Sequence, residues 1–350
     1  MTSRRTLAGA GMLAAGLAAG GLVRAILEPA RGQGGDASGA TPELLAGPAS
    51  WPPGTRHHRL EVSDGAVVHV AEAGAGRAVL LVHGIALSAG VWSGQLRSLP
   101  RRGFRVLAMD LRGHGRSGVG TGGLSFERVA ADIAEVAEAL GLSDAVVVGH
   151  SMGAMAVLRL LATDPALASG EGWVAALALV ATSARPAAGR GVPGVRLALF
   201  ASRPALAVAA NLARLLSGPT LPDHEVADPI AAVTFAGHAD PGAVRFVRRV
   251  SAGVPARTTV ELALRAVRLD HSGVLASITV PTAVVFGTDD LVTPPGHART
   301  LAASIPGSEL VELTGCGHEV MLERPAELEA VIADLASRSA VGHLAGGGRG

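Results

Sequence analysis

Apolar residues along this chain come in short, dense runs separated by polar, glycine-rich stretches. Ala145-Val146-Val147-Val148 is one such run. Its consecutive β-branched residues and its shortness suit a strand buried on both faces. Residues 78–84, 105–110, 173–180, 281–286 and 309–313 repeat the pattern. Between these runs the spacing changes. Residues 126–140 place apolar side chains at 126, 129, 133, 136, 137 and 140, close to a helical period. Residues 152–161 are rich in Ala and Leu and read as a helix. Residues 60–63 and 66–73 form a hairpin about Asp64-Gly65, a favoured two-residue turn. Strands alternating with helices predict an α/β fold, a mainly parallel sheet flanked by helices on both faces.

The alternation stops between residues 184 and 274. Prolines at 186, 193, 204, 219, 222, 229, 241 and 255 separate helix-like pieces at 206–216, 243–250 and 258–269. This stretch reads as a helical insertion in a core formed by residues 57–183 and 275–340. Residues 325–337 form a last helix, with Pro325 suited to a helix first turn. Residues 341–350 are glycine-rich and read as a disordered tail.

At the other end, residues 7–23 carry no charge and lie between Arg4-Arg5 and Arg24. A short positive region before an apolar one is the anatomy of an export signal, and Ser3-Arg4-Arg5 resembles a twin-arginine signal. The run is short of the roughly 20 residues a spanning helix needs. The expectation is an export signal or membrane anchor in residues 1–30, membrane association through residues 7–23, and an exported or envelope protein. A cytoplasmic protein with an idle extension is the alternative. Residues 31–56 are rich in Gly, Pro, Ala and Ser and read as a linker. In Arg56-His57-His58-Arg59, neighbouring strand side chains point to opposite faces. The two histidines therefore read as an exposed strand edge and not as a metal site.

At 350 residues and 49% hydrophobic, the chain can bury one large core or two small ones. Its formal charge is +1 with no long basic run, so nucleic acid is not an expected partner. Every basic side chain is Arg, and there is no Tyr. A single Cys316 excludes an internal disulfide and a cysteine-based zinc site.

The candidate chemistry starts at Gly149-His150-Ser151-Met152-Gly153, a G-x-S-x-G pattern between a strand and a helix. A strand that turns at once into a helix forces its middle residue into strained angles and needs small neighbours. The turn lifts the Ser151 hydroxyl above the sheet, and the helix N-terminus beside it favours negative charge. A serine hydroxyl still needs a base, and the base an orienting acid. Two loops leaving later strands offer them. Gly287-Thr288-Asp289-Asp290-Leu291-Val292-Thr293-Pro294 holds two carboxylates, and Thr314-Gly315-Cys316-Gly317-His318-Glu319 holds a histidine. Both lie at the carboxyl ends of strands, on the rim that carries Ser151.

With these pieces in place the chain resembles the α/β-hydrolase superfamily, and within it the cap-bearing esterase, lipase and cofactor-free haloperoxidase-like group. The matching motifs are Val82-His83-Gly84, Asp110-x-Arg112-Gly113-His114-Gly115-x-Ser117, the Ser151 pentapeptide, Gly287-x-x-Asp290-x-x-x-Pro294 and Gly317-His318-x-x-x-x-Glu323-x-Pro325. They run from about Leu60 to Ser337 in the family's order. The resemblance implies an α/β-hydrolase fold with an inserted helical cap at residues 184–274. It assigns Ser151 as nucleophile, Asp290 and not Asp289 as acid, and His318 as base. Some family members carry the acid one strand earlier, but Ala181-Thr182-Ser183-Ala184 offers none. His83 and His114 occupy structural positions, His150 packs, and His297 has no assigned role. Cys316 is read as a small residue in a tight loop, and Trp92 as either pocket lining or core. Backbone N–H groups of Ile85 and Met152 should form the oxyanion hole.

The implied activity is a serine hydrolase acting on a small-molecule ester with an apolar acyl or alcohol part, through an acyl-enzyme. No metal or organic cofactor is expected. Serine in place of aspartate at the turn argues against the dehalogenase and epoxide hydrolase branches. Thioesterase, lactonase, C–C hydrolase and perhydrolase chemistry use the same triad and stay open, as does a non-catalytic ligand receptor.

Overall fold

A computed structural model describes residues 51–170, 172–185, 233–237 and 239–346 of the chain, with side chains through residue 340. The strands are β1 (Arg56–Glu61), β2 (Val67–Gly74), β3 (Arg77–Val82), β4 (Phe104–Met109), β5 (Ala145–His150), β6 (Val174–Val180), β7 (Thr282–Gly287) and β8 (Glu309–Leu313). The longer helices are α1 (Phe126–Ala139), α2 (Met152–Thr163), α3 (Pro241–Ala252), α4 (Ala256–Ala266), α5 (Pro295–Ser304) and α6 (Pro325–Gly346). One eight-stranded sheet runs in the order β1-β2-β4-β3-β5-β6-β7-β8. The pairs β1/β2 and β2/β4 are antiparallel, and the other pairs are parallel.

The continuous apolar runs follow from this layering. Alternate residues of a strand face opposite sides of the sheet, and both sides are covered. Leu80, Val82 and Val147 pack on one side with Val129 and Ile133 of α1 and Val157 and Leu161 of α2. Val79, Leu81, Val146 and Val148 pack on the other with Leu96, Trp92 and Leu328, Ile332 and Leu335 of α6. The outermost strands β1 and β8 are largely exposed, so the exposed edge read at His57-His58 is where β1 lies. Helix starts follow local chemistry. The Ser125 Oγ accepts the Arg128 N–H at 3.2 Å at the head of α1, and Asp240 accepts the Ala243 N–H at 2.8 Å ahead of Pro241 in α3.

Two local expectations need correction. The hairpin loop holds three residues, Ser63 to Gly65, because Glu61 pairs with Val67 and Val62 N–H bonds Ala66 C=O at 2.9 Å. Gly65 alone in that loop has positive φ, at 80°, so the connection is a turn closed by a glycine bulge and not a two-residue turn. The last helix runs to Gly346, past the predicted end and into the stretch expected as a tail. Alanine and leucine sustain the helix there despite Gly342. Of the insertion's three helix-like pieces, α3 and α4 account for two; residues 206–216 lie outside the described residues, as do the predicted export segment and linker up to residue 50. Among the described residues no helix is long and apolar enough to cross a membrane.

The topology selects one place for chemistry. From β3 the chain moves outward to β4, then returns to β5 and continues outward on the other side to β6. In open sheets of this kind ligands bind above the carboxyl ends of the strands at such a switch point, here β3 and β5. The residues leaving those strands are His83-Gly84-Ile85 and Ser151-Met152.

Candidate active site

Ser151 follows β5 directly and has φ 51° and ψ −120°. A non-glycine residue held there stores about 1–3 kcal/mol of strain. Its N–H bonds Val180 C=O at 2.9 Å, and its own C=O accepts Thr182 Oγ1 at 2.9 Å. The turn needs its glycines for close approach. A Cβ on Gly149 would come within 2.5 Å of Ala154 Cα, and one on Gly153 within 2.4 Å of the His83 carbonyl oxygen. The second approach packs the start of α2 against the end of β3.

That loop is pinned by two buried histidines. His83 donates from Nδ1 to Gly84 C=O at 2.7 Å and accepts Leu111 N–H on Nε2 at 3.0 Å. His114 donates from Nδ1 to Arg112 C=O at 3.0 Å and accepts Ala86 N–H on Nε2 at 3.2 Å. Each ring accepts on one nitrogen, so it is neutral there. Burial lowers the pKa of both, His114 to about 3. Ala86 is thereby held at φ 57°. The Ile85 and Met152 N–H groups donate to no protein acceptor among the described residues. Asp110 and Arg112 hold the loops behind. Asp110 accepts Ala89 N–H at 2.6 Å and His69 Nδ1–H at 2.7 Å. The fully buried Arg112 forks onto Asp132 at 2.6 Å and reaches Asp64 at 3.0 Å.

His318 lies in the loop after β8, and its Nδ1 is 2.8 Å from Asp290 Oδ2. Asp290 is buried and receives Val292 N–H and Thr293 N–H at 2.8 Å on Oδ1 and Thr293 Oγ1–H at 2.7 Å on Oδ2. Burial opposes its charge, but His318 and these donors prevail and lower its pKa. Burial likewise opposes charge on His318, and Asp290 outweighs it, so the His318 pKa is raised. Asp289 is exposed and takes Thr288 Oγ1–H at 2.8 Å. The structure therefore brings Asp290, and not Asp289, to His318. Gly287 permits the pairing, since a Cβ there would sit 2.1 Å from the Cys316 carbonyl oxygen on the facing loop. No hydrogen bond joins Ser151 Oγ to His318 among the described residues. Such contacts are often long without substrate.

The other named residues sort cleanly. Trp92 is fully buried in the core. Cys316 is buried, and burial pushes its thiol pKa up, which leaves it unreactive. His297 is partly buried at the start of α5 with no partner on Nδ1. Arg245 and Arg249 are exposed on α3. No cluster of three or more His, Cys, Asp or Glu side chains suited to a metal occurs among the described residues.

Sequence reasoning missed the supports of the histidine loop. Thr234, within the insertion ahead of α3, accepts His318 N–H on its C=O at 2.6 Å. Glu323 gathers Gly317 N–H at 3.0 Å, Ala236 N–H at 3.2 Å and Glu319 N–H at 3.3 Å. Glu319 is buried next to His318 with Oε2 unpartnered. Burial pushes its pKa up to about 7, against the attraction of His318. The Glu323 spacing was visible as a motif; Thr234 and the fate of Glu319 had no local signal.

A sequence profile of the alpha/beta hydrolase fold matches residues 77–325. The chain belongs to the α/β-hydrolase family. Among characterised relatives it is 31% identical to a non-heme haloperoxidase of Rhodococcus erythropolis over 74% of this chain and 92% of that protein. Among solved structures it is similar to a thermophilic esterase from Thermogutta terrifontis, with 25% identity, TM-score 0.66, and coverage of 81% of this chain and 99% of that one. The enol-lactonase from Burkholderia xenovorans LB400 is also similar, with 25% identity, TM-score 0.65, and coverage of 80% and 100%.

Proposed function

We propose that the chain is a serine hydrolase that cleaves carboxylic esters with an apolar acyl or alcohol part through an acyl-enzyme. The observation that carries this reading is Ser151 on a strained strand-to-helix turn, on the same rim as His318 held at 2.8 Å by a buried Asp290. Asp290 takes the Nδ1–H of His318, which leaves Nε2 bare to accept the Ser151 proton as Oγ attacks the ester carbonyl. The imidazolium formed is stabilised by the Asp290 charge. Ile85 and Met152 N–H groups receive the oxyanion, and the N-terminus of α2 adds favourable potential. Collapse expels the alcohol, which takes the proton from His318. Water, deprotonated by His318, then attacks the acyl-enzyme and frees the acid and Ser151.

The similarity to a haloperoxidase supports a second use of the same intermediate. Hydrogen peroxide in place of water would release a peracid. Both readings require the Ser151 acyl-enzyme. Ser151→Ala should abolish p-nitrophenyl ester hydrolysis and fluorophosphonate labelling, a loss of several decades in rate with the fold intact. Turnover equal to wild type in that variant discards the mechanism. Labelling without sustained turnover would instead mark a receptor on this fold.

A further inference from the structure

His150 stands inside the turn, between Gly149 and Ser151, and meets the loops that follow β3 and β8. It is buried, and its Nε2 lies 3.0 Å from the His318 carbonyl oxygen. Its ring centroid is 4.8 Å from that of His318. On the other side, a Cβ on Gly84 would come within 2.8 Å of its Nδ1. The acceptor decides the tautomer. A carbonyl oxygen can only accept, so Nε2 carries the hydrogen and Nδ1 is a bare lone pair. Burial, with His318 beside it, holds the ring neutral. Nδ1 has no hydrogen-bond partner among the described residues.

An unpaired buried acceptor is unfavourable, and a phenylalanine would fill similar space without one. What histidine supplies here is the single Nε2–H. That hydrogen lands on the backbone of the residue whose side chain has to reach Ser151. His318 has three anchors. Thr234 C=O holds its N–H, Asp290 holds Nδ1, and His150 holds its C=O. The first two tie it to the insertion and to the loop after β7. The third ties it to the nucleophile's own turn.

We propose that His150 is a positioning residue whose Nε2–H fixes the base loop against the nucleophile turn and so sets the approach of His318 to Ser151. The proposal rests on Ser151 and His318 acting as nucleophile and base. Its effect belongs to proton transfer and not to substrate binding.

The test compares His150→Gln, His150→Asn and His150→Phe with wild type and Ser151→Ala. Glutamine carries an amide N–H near the position of Nε2, whereas asparagine stops about one bond short. The readouts are kcat and KM on p-nitrophenyl butyrate, the rate of fluorophosphonate labelling, and thermal melting. A base displaced by about 1 Å should lower kcat and labelling in the Asn and Phe variants by roughly 10- to 100-fold, with KM within about threefold and Gln near wild type. Equal losses in Gln and Asn, a loss confined to KM, or a fully active Phe variant overturns the proposal. If the Phe variant does not melt cooperatively, the Gln–Asn pair still decides. Wild type that escapes labelling and matches Ser151→Ala in turnover removes the nucleophile assignment and the proposal with it. Normal wild-type labelling with an insensitive His150 series overturns the proposal alone.

Discussion

Glu319→Gln tests the electrostatics of the histidine loop through stability. The native carboxyl is buried with one oxygen unpartnered, and its pKa rises from 4.5 to about 7. Below the ordinary value it is protonated in both folded and unfolded chains and has no pH-dependent effect. As pH rises through the interval, the unfolded chain releases the proton and the folded one keeps it, so stability falls. Above about 7 both are ionised and the loss is constant. At about 1.4 kcal/mol per pH unit, the interval amounts to roughly 3 kcal/mol. Glutamine has no proton to release. Its amide adds a contribution that is the same at every pH and cancels when two pH values are compared. The assay is urea unfolding of wild type and variant from pH 4 to pH 8. The variant should gain on wild type by about 3 kcal/mol across that range, with most of the gain between the two pKa values. A difference between the proteins that stays flat with pH would refute the reasoning. It would mean that the carboxyl is solvated, or is held ionised, in the native state.

Three further outcomes follow from the site and the chain ends. Asp290→Asn should lower kcat by about four decades, because the His318 tautomer is lost, while the exposed Asp289→Asn leaves ester hydrolysis near wild type; the reverse ranking would reassign the acid. With residues 184–274 as the substrate-selecting cap, kcat/KM from acetyl to decanoyl esters should rise with chain length, each buried methylene contributing about 0.8 kcal/mol, and the half-buried Leu264→Ala should flatten the trend. Phe246→Ala suits that test less well, since Phe246 is core-buried and its loss should lower stability by about 3–5 kcal/mol. Removing residues 1–30 should leave an active enzyme and move the protein out of the membrane or exported fraction, and a full-length protein found wholly in the cytosol would end the targeting assignment.

The strand runs and the helical periods at residues 126–140 and 152–161 could be read directly, because each depends on a contiguous stretch meeting two apolar layers. The turn at Ser151 was legible for the same reason: strand, glycine, serine, glycine and helix are neighbours in the chain. Asp64-Gly65 marks the hairpin but not its loop length, since a dipeptide does not reveal whether one or both residues take positive φ. Asp64 stays on the ordinary side because its carboxylate turns inward to Arg112 and Gly122 N–H. The end of the last helix was missed because glycine weakens a helix without forbidding it.

The residues alone left Asp289 and Asp290 level, and spacing favoured the second only through likeness to a family. The fold separates them physically, exposing Asp289 and burying Asp290 beneath His318 with three donors around it. The same holds for His150, Thr234 and Glu319. Their roles depend on segments far apart in sequence, such as the 168 residues between the His150 ring and the carbonyl it holds. The sequence by itself determined which elements form and which loops leave the strands at the reactive rim, because those follow from local periodicity and turn chemistry. Only the tertiary structure decided which carboxylate meets the histidine and which acid has its pKa raised by burial, because burial and distance between remote segments set both.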